Sequence, residues 1–92
     1  MSDAKNVKEL ERTMKALANR RRLAVLKYLK NEREASVGDI AEEIRLSFKA
    51  TSKHLLVLSA AGIVDREQRS LQMLYRFADD LPPAARSIIS LL

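Results

Sequence analysis

Ser36-Val37-Gly38-Asp39-Ile40-Ala41-Glu42-Glu43-Ile44-Arg45-Leu46-Ser47-Phe48-Lys49-Ala50-Thr51-Ser52-Lys53-His54-Leu55-Leu56-Val57-Leu58-Ser59-Ala60-Ala61-Gly62 is the stretch on which the fold turns. It divides into two short helices. Ser36 is an N-cap residue, whose side-chain oxygen can accept from exposed backbone N–H groups, and Asp39 three residues on gives a weaker form of the capping box. Val37, Ile40, Ala41 and Ile44 make the apolar stripe of the first helix. Gly38 inside it costs about 1 kcal/mol relative to alanine, so close packing against a neighbour is the expected reason for it. Ser47 caps the second helix, which runs to about Ala61 with Thr51, Leu55 and Leu58 facing inward. Gly62 supplies the left-handed residue that ends a helix cheaply.

Downstream, Ile63-Val64 begins a strand, and Met73, Tyr75 and Phe77 alternate at the period of a half-buried one. The tip, Arg69-Ser70-Leu71, lacks the Gly or Asn-Gly of a tight hairpin, which predicts a looser loop. Upstream, Val7, Leu10, Met14 and Leu17 lie on one face of a first helix. Asn19 caps a second, which runs through Leu23, Leu26 and Leu29 to about Lys30. Residues 31–35 read as a polar connection. Asp79-Asp80-Leu81-Pro82-Pro83 opens a last helix, with acids suited to a helix N-terminus and proline tolerated in its first turn. Leu81, Ala85, Ile88 and Leu92 form its stripe.

A short helix, a basic helix and a β-ribbon in that order predict a winged helix-turn-helix: mainly α, with a small β-ribbon, in the order α-α-α-α-β-β-α. On a duplex one helix braces, one enters the major groove, and the ribbon reaches along the backbone. The 92 residues read as one domain, 1–92, with the helix-turn-helix at 36–62 and the wing at 63–77.

A net charge of +5 points to an acidic partner, most often nucleic acid. The chain has no cysteine, which removes disulfides, thiolate zinc sites and cysteine nucleophiles together. With one histidine and no Gly-rich phosphate loop, an enzyme is not expected, nor is a cofactor. Residues 1–6 are polar and lack the apolar segment of a signal peptide, and no apolar run approaches the roughly 18 residues that cross a bilayer. A cytoplasmic protein without a membrane partner is the expectation.

The terminal helices, 5–18 and 82–92, carry apolar stripes that the central helices do not need for their own core. Left in water they would form an unusually large patch. Burial in a twofold homodimer is the simplest solution, through Val7, Leu10, Met14, Leu81, Ala85, Ile88 and Leu92. The competing expectation is that both helices fold back on their own core.

These segments resemble the ArsR/SmtB family of transcriptional regulators over nearly the whole chain. Residues 16–26, Ala-Leu-Ala-Asn-Arg-Arg-Arg-Leu-Ala-Val-Leu, are similar to the family's "ALADPTR" element and the apolar helix after it. Asp39-Ile40-Ala41 resembles the first helix of its helix-turn-helix. Residues 47–64 resemble its "LSQSTVSHHLKVLREAGLV" stretch, and Leu74-Tyr75-Arg76-Phe77 the strand that closes its wing. Arg20 stands where the family has proline, and Thr51 where valine is common, which weakens the core slightly. The resemblance implies metal ligands as a cysteine pair on residues 37–44, or as His and Asp on the last helix. Here the first segment has no Cys and the second no His, so no metal site is expected.

Double-stranded DNA is therefore the expected partner. Lys49 and Lys53, four apart on one helical face, are placed against phosphates or guanine edges. Ser47 and Ser52 are short donors to phosphate or base; Ser47 also has the cap to make, and Ser52 matches the family's contact serine. Phe48 stands where the family often has Gln; it either packs on thymine methyls or covers the start of its helix. His54 either donates to a phosphate or packs. Arg45, in the turn, can touch phosphate. Of the ribbon's Arg66 and Arg69, Arg69 is the expected contact, being nearest the tip. Arg22 matches a family arginine with a structural pairing role, while Arg20 and Arg21 read as solvated. The leading function is a repressor, binding an inverted-repeat operator as a homodimer, with an unassigned effector. The alternatives are a winged-helix protein-interaction module and a regulator sensing a small ligand or a hard cation through carboxylates such as Asp79 and Asp80.

Overall fold

A computed structural model describes the backbone from residue 4 to 92 and side chains from Asn6 onward; the polar reading of Met1-Ser2-Asp3 lies outside the described residues. The elements are α1 (Ala4–Leu17), α2 (Arg20–Glu32), β1 (Glu34–Ser36), α3 (Val37–Ile44), α4 (Phe48–Ala60), β2 (Val64–Arg69), β3 (Gln72–Phe77) and α5 (Pro83–Ile89). This is the expected winged helix-turn-helix with one strand added. None of the described helices is long and apolar enough to cross a membrane.

Local side-chain chemistry sets most of the boundaries. Asn19 Oδ1 accepts from the N–H groups of Arg21 at 2.9 Å and Arg22 at 3.0 Å and starts α2. Ser36 Oγ accepts from Asp39 N at 3.1 Å, and Ser47 Oγ from Ala50 N at 3.1 Å, starting α3 and α4. Each satisfies a backbone donor that the helix itself cannot. α4 ends in a Schellman motif: Gly62 N donates to Ser59 O at 3.0 Å and Ile63 N to Leu58 O at 2.9 Å, with Gly62 at φ +74°. α3 ends the same way, Arg45 N donating to Glu42 O and Leu46 N to Ala41 O, but the left-handed residue is Arg45, φ 57°.

The core lies where α2, α3 and α4 meet. Val25, Leu26, Leu29, Ile40, Thr51, Leu55, Leu58, Ile63 and Val64 are all buried there. Ala35 and Tyr75 close it from the sheet, Ala16 and Leu17 from α1, and Ala85 and Ile89 from α5.

Several expectations are corrected. The supposed polar connection ends in β1, whose Ala35 is buried and pairs with Tyr75; the sheet is three-stranded and antiparallel in the order β1-β3-β2. Gly38 is exposed, and a Cβ there would meet nothing nearer than Ser36 Oγ at 3.9 Å, so no close approach explains it. The wing tip is tight: Arg69 pairs with Gln72, leaving only Ser70 and Leu71 as the loop. A positive φ of 59° at Ser70 alone is the pattern of a type II′ turn, with serine where glycine is usual.

At the termini, α5 starts at Pro83 with Pro82 as cap, so Asp79 and Asp80 precede its first turn instead of occupying it. Ala85 is 0% exposed within its own chain and offers no surface to a partner, while Leu81, Ile88 and Leu92 are half-buried against the same core. α1 divides its face. Leu17 turns inward with Thr13 and Ala16, whereas Val7, Leu10 and Met14 remain 61%, 50% and 57% exposed.

Candidate DNA-binding interface

α4 is held from behind and presents its front to solvent. Thr51, Leu55 and Leu58 fix its inner face in the core. On the other side Phe48, Lys49 and Lys53 are exposed and Ser52 is half-buried. Helical spacing brings Lys49, Ser52 and Lys53 onto one side. Arg45 stands one turn before them, its αL backbone projecting a basic residue where glycine would cost less. Ser47 spends one lone pair on the cap and keeps its hydroxyl proton for an outside acceptor.

The electrostatics of this face are one-sided. No Asp or Glu occurs anywhere in residues 45–64. Among the described residues, the side chains of Arg45, Lys49 and Lys53 have neither an ion pair nor a hydrogen bond. Lys49 and Lys53 repel at the i,i+4 spacing, and the helix N-terminus adds its own partial positive charge. An isolated helix would place acids here. Such an arrangement is relieved by an external anion, and backbone N–H groups and cations together make a phosphate-binding surface.

Two expected contacts lie elsewhere in the arrangement. His54 turns toward the corner between α1 and α2, where its Nδ1 is 3.2 Å from Arg22 Nη1. Arg22 also donates from Nε to Ala16 O at 2.6 Å and from Nη2 to Lys15 O at 3.1 Å, closing the last carbonyls of α1. Because a guanidinium only donates, Nδ1 is the acceptor and the imidazole proton sits on Nε2. Partial burial, then the charges of Arg22 and Arg21, push the His54 pKa below its ordinary value of 6.5. The contact gives Arg22 a structural pairing within the chain and fixes the His54 ring through Nδ1, leaving Nε2–H as its remaining donor.

Arg69 is likewise engaged within the chain. Its guanidinium reaches over β3 to Glu34 on β1, with Nη1 at 2.9 Å from Oε2 and Nη2 at 3.4 Å from Oε1, and Nη2 lies 3.2 Å from Glu67 Oε1. Arg76 joins the cluster through Glu67 at 3.2 Å. The hydrogen bonds to Glu34 and Glu67 raise the Arg69 pKa further above its already high value. Arg66 sits opposite Tyr75 on the other face of the ribbon, exposed and without a side-chain partner among the described residues. It is the free basic group of the wing.

Among the described residues no three His, Cys, Asp or Glu side chains converge as a metal site. The family model that matches residues 19–66, just over half of the chain, is "Bacterial regulatory protein, arsR family". The transcriptional activator HlyU of Vibrio cholerae is 34% identical over 77 residues, covering 76% of this chain and 70% of that protein. The transcriptional repressor SmtB of Mycobacterium tuberculosis is 33% identical over 66 residues, covering 72% of this chain but only 48% of that protein. The solved structure of V. cholerae HlyU superposes with a TM-score of 0.82 at 30% identity, over 97% of this chain and 92% of that one. A homodimeric winged helix-turn-helix DNA-binding domain from Mycobacterium bovis, described as a possible ArsR-family regulator, gives 0.81 at 29% identity, over 99% of this chain and 82% of that one. The chain therefore belongs to the arsR family of bacterial regulatory proteins, as a winged helix-turn-helix transcriptional regulator and not an enzyme.

Proposed function

We infer that this protein binds an inverted-repeat operator as a homodimer in the cytoplasm and represses transcription by occupying it. The observation that carries the DNA contact is the acid-free, unpaired basic face of Arg45, Lys49 and Lys53 at the start of α4. Lys49 and Lys53 meet phosphates along the groove, Ser47 and Ser52 donate at its edge, and Arg66 extends the contact along the neighbouring backbone. The homodimer is supported by the row of Val7, Leu10 and Met14, which lines a shallow apolar groove with Ala18 on the outside of α1. It is supported also by the dimeric M. bovis domain. Occupancy is the simplest route to regulation, since it asks for nothing beyond the duplex; the relatives include one named an activator and one named a repressor.

Selection of bound sequences from random duplex DNA tests the reading. An inverted repeat with half-site centres about one helical turn, roughly 34–36 Å, apart is the expected product. A pool that fails to converge on any sequence contradicts it.

A further inference from the structure

We propose that Phe48 is a specificity-determining residue that reads the C5-methyl group of a thymine in each half-site; this rests on the DNA contact inferred above. The chain has two phenylalanines and two tyrosines. Tyr75 is buried, and Tyr28 and Phe77 pack against the core. Phe48 is the exception, 63% exposed at the first position of α4. The alternative, that it covers the start of its own helix, does not fit that exposure.

Nor does the inferred dimer surface cover it. α1 meets α4 at the opposite end, where Arg12 donates to Ala60 O. Twelve residues of helix, about 18 Å, separate that contact from Phe48. Phe48 instead shares the end of α4 that carries Arg45, Lys49 and the Ser47 cap. A recognition helix puts its first-turn side chains against base edges. A phenyl ring has no donor or acceptor for the polar edges, and the one apolar group that standard base pairs present in the major groove is the thymine methyl. Water leaves both surfaces when ring and methyl meet. The lysines thus supply grip on any duplex, and Phe48 supplies discrimination.

Deoxyuridine keeps every hydrogen-bonding group of thymidine and lacks only the methyl, so it isolates the contact. The selected duplex is rebuilt with deoxyuridine at one thymine per half-site, position by position, and equilibrium binding is measured for wild type and Phe48→Ala. At one symmetric position wild type loses about fourfold in affinity per half-site. Phe48→Ala binds the thymidine and deoxyuridine duplexes equally there and keeps the wild-type salt dependence. Wild-type binding that is unchanged at every position, or a Phe48→Ala protein that remains sensitive to the methyl, overturns the proposal alone. Failure of wild type to bind any duplex overturns it together with the reading beneath it.

Discussion

Thr51 carries a hydroxyl in a place shaped for a methyl. Its Oγ1 is fully buried on the inner face of α4 and has no hydrogen-bond partner. An unsatisfied buried hydroxyl costs about 1–3 kcal/mol, and valine has the same outline without it. Thr51→Val is expected to raise the unfolding free energy by about 1 kcal/mol, or Tm by about 4–8 °C for a domain of this size. A fall in Tm on thermal denaturation would mean that the hydroxyl has a partner after all. His54 makes a prediction in pH. Its folded pKa lies below 6.5, so the fold favours the neutral ring that accepts from Arg22. That contribution is complete above pH 6.5 and is lost as pH falls from there through the folded pKa. Denaturant titrations between about pH 7 and about pH 5.5 should show a smaller loss of stability in His54→Gln, which keeps an acceptor but cannot be protonated there. An equal loss in both proteins would remove His54 as the cause.

The elements show what a sequence can and cannot disclose. Asn19, Ser36, Ser47 and Gly62 act on backbone groups two to five residues away, so the helices they bound are legible one residue at a time. β1 is not. Three residues are too short to carry a period, and Ala35 becomes strand only because Tyr75 lies beside it, forty positions away. The same strand decides how the wing's arginines are paired. Arg69 is held by Glu34, which stands on that strand, so nearness to the tip alone does not disclose that its guanidinium is already paired. The tight turn is hidden for a different reason, since serine at positive φ is permitted without being encoded. Arg66→Ala should accordingly weaken duplex binding more than Arg69→Ala and lower the slope of log K against log salt by about 0.9 per protomer. The reverse ranking in a fluorescence anisotropy titration would return Arg69 to the DNA.

At the scale of the whole molecule, the surface is divided by task. The start of α4 and the wing face outward with unpaired cations, while Val7, Leu10 and Met14 face outward without charge from α1. The sequence disclosed both faces, because helical spacing fixes which residues share a side. It did not disclose that Leu17 and Ala85 leave their stripes for the core, which depends on how α1 and α5 lie against α2. Leu10→Glu should therefore keep the fold and raise the dimer dissociation constant at least about thirtyfold, roughly 2 kcal/mol, read by sedimentation equilibrium. Ala85→Glu should instead destroy the fold. A Leu10→Glu protein as dimeric as wild type would place the interface elsewhere. A grip on phosphate by the N-terminal half of α4 is measured directly by counterion release. Wild type and the Lys49→Ala/Lys53→Ala double variant are titrated against one selected duplex from about 50 to about 200 mM salt. The variant's slope is expected to be shallower by about 3.6, from four lost lysine contacts in a dimer at about 0.9 each. Equal affinity and equal slope in the two proteins would remove α4 from the phosphate contact.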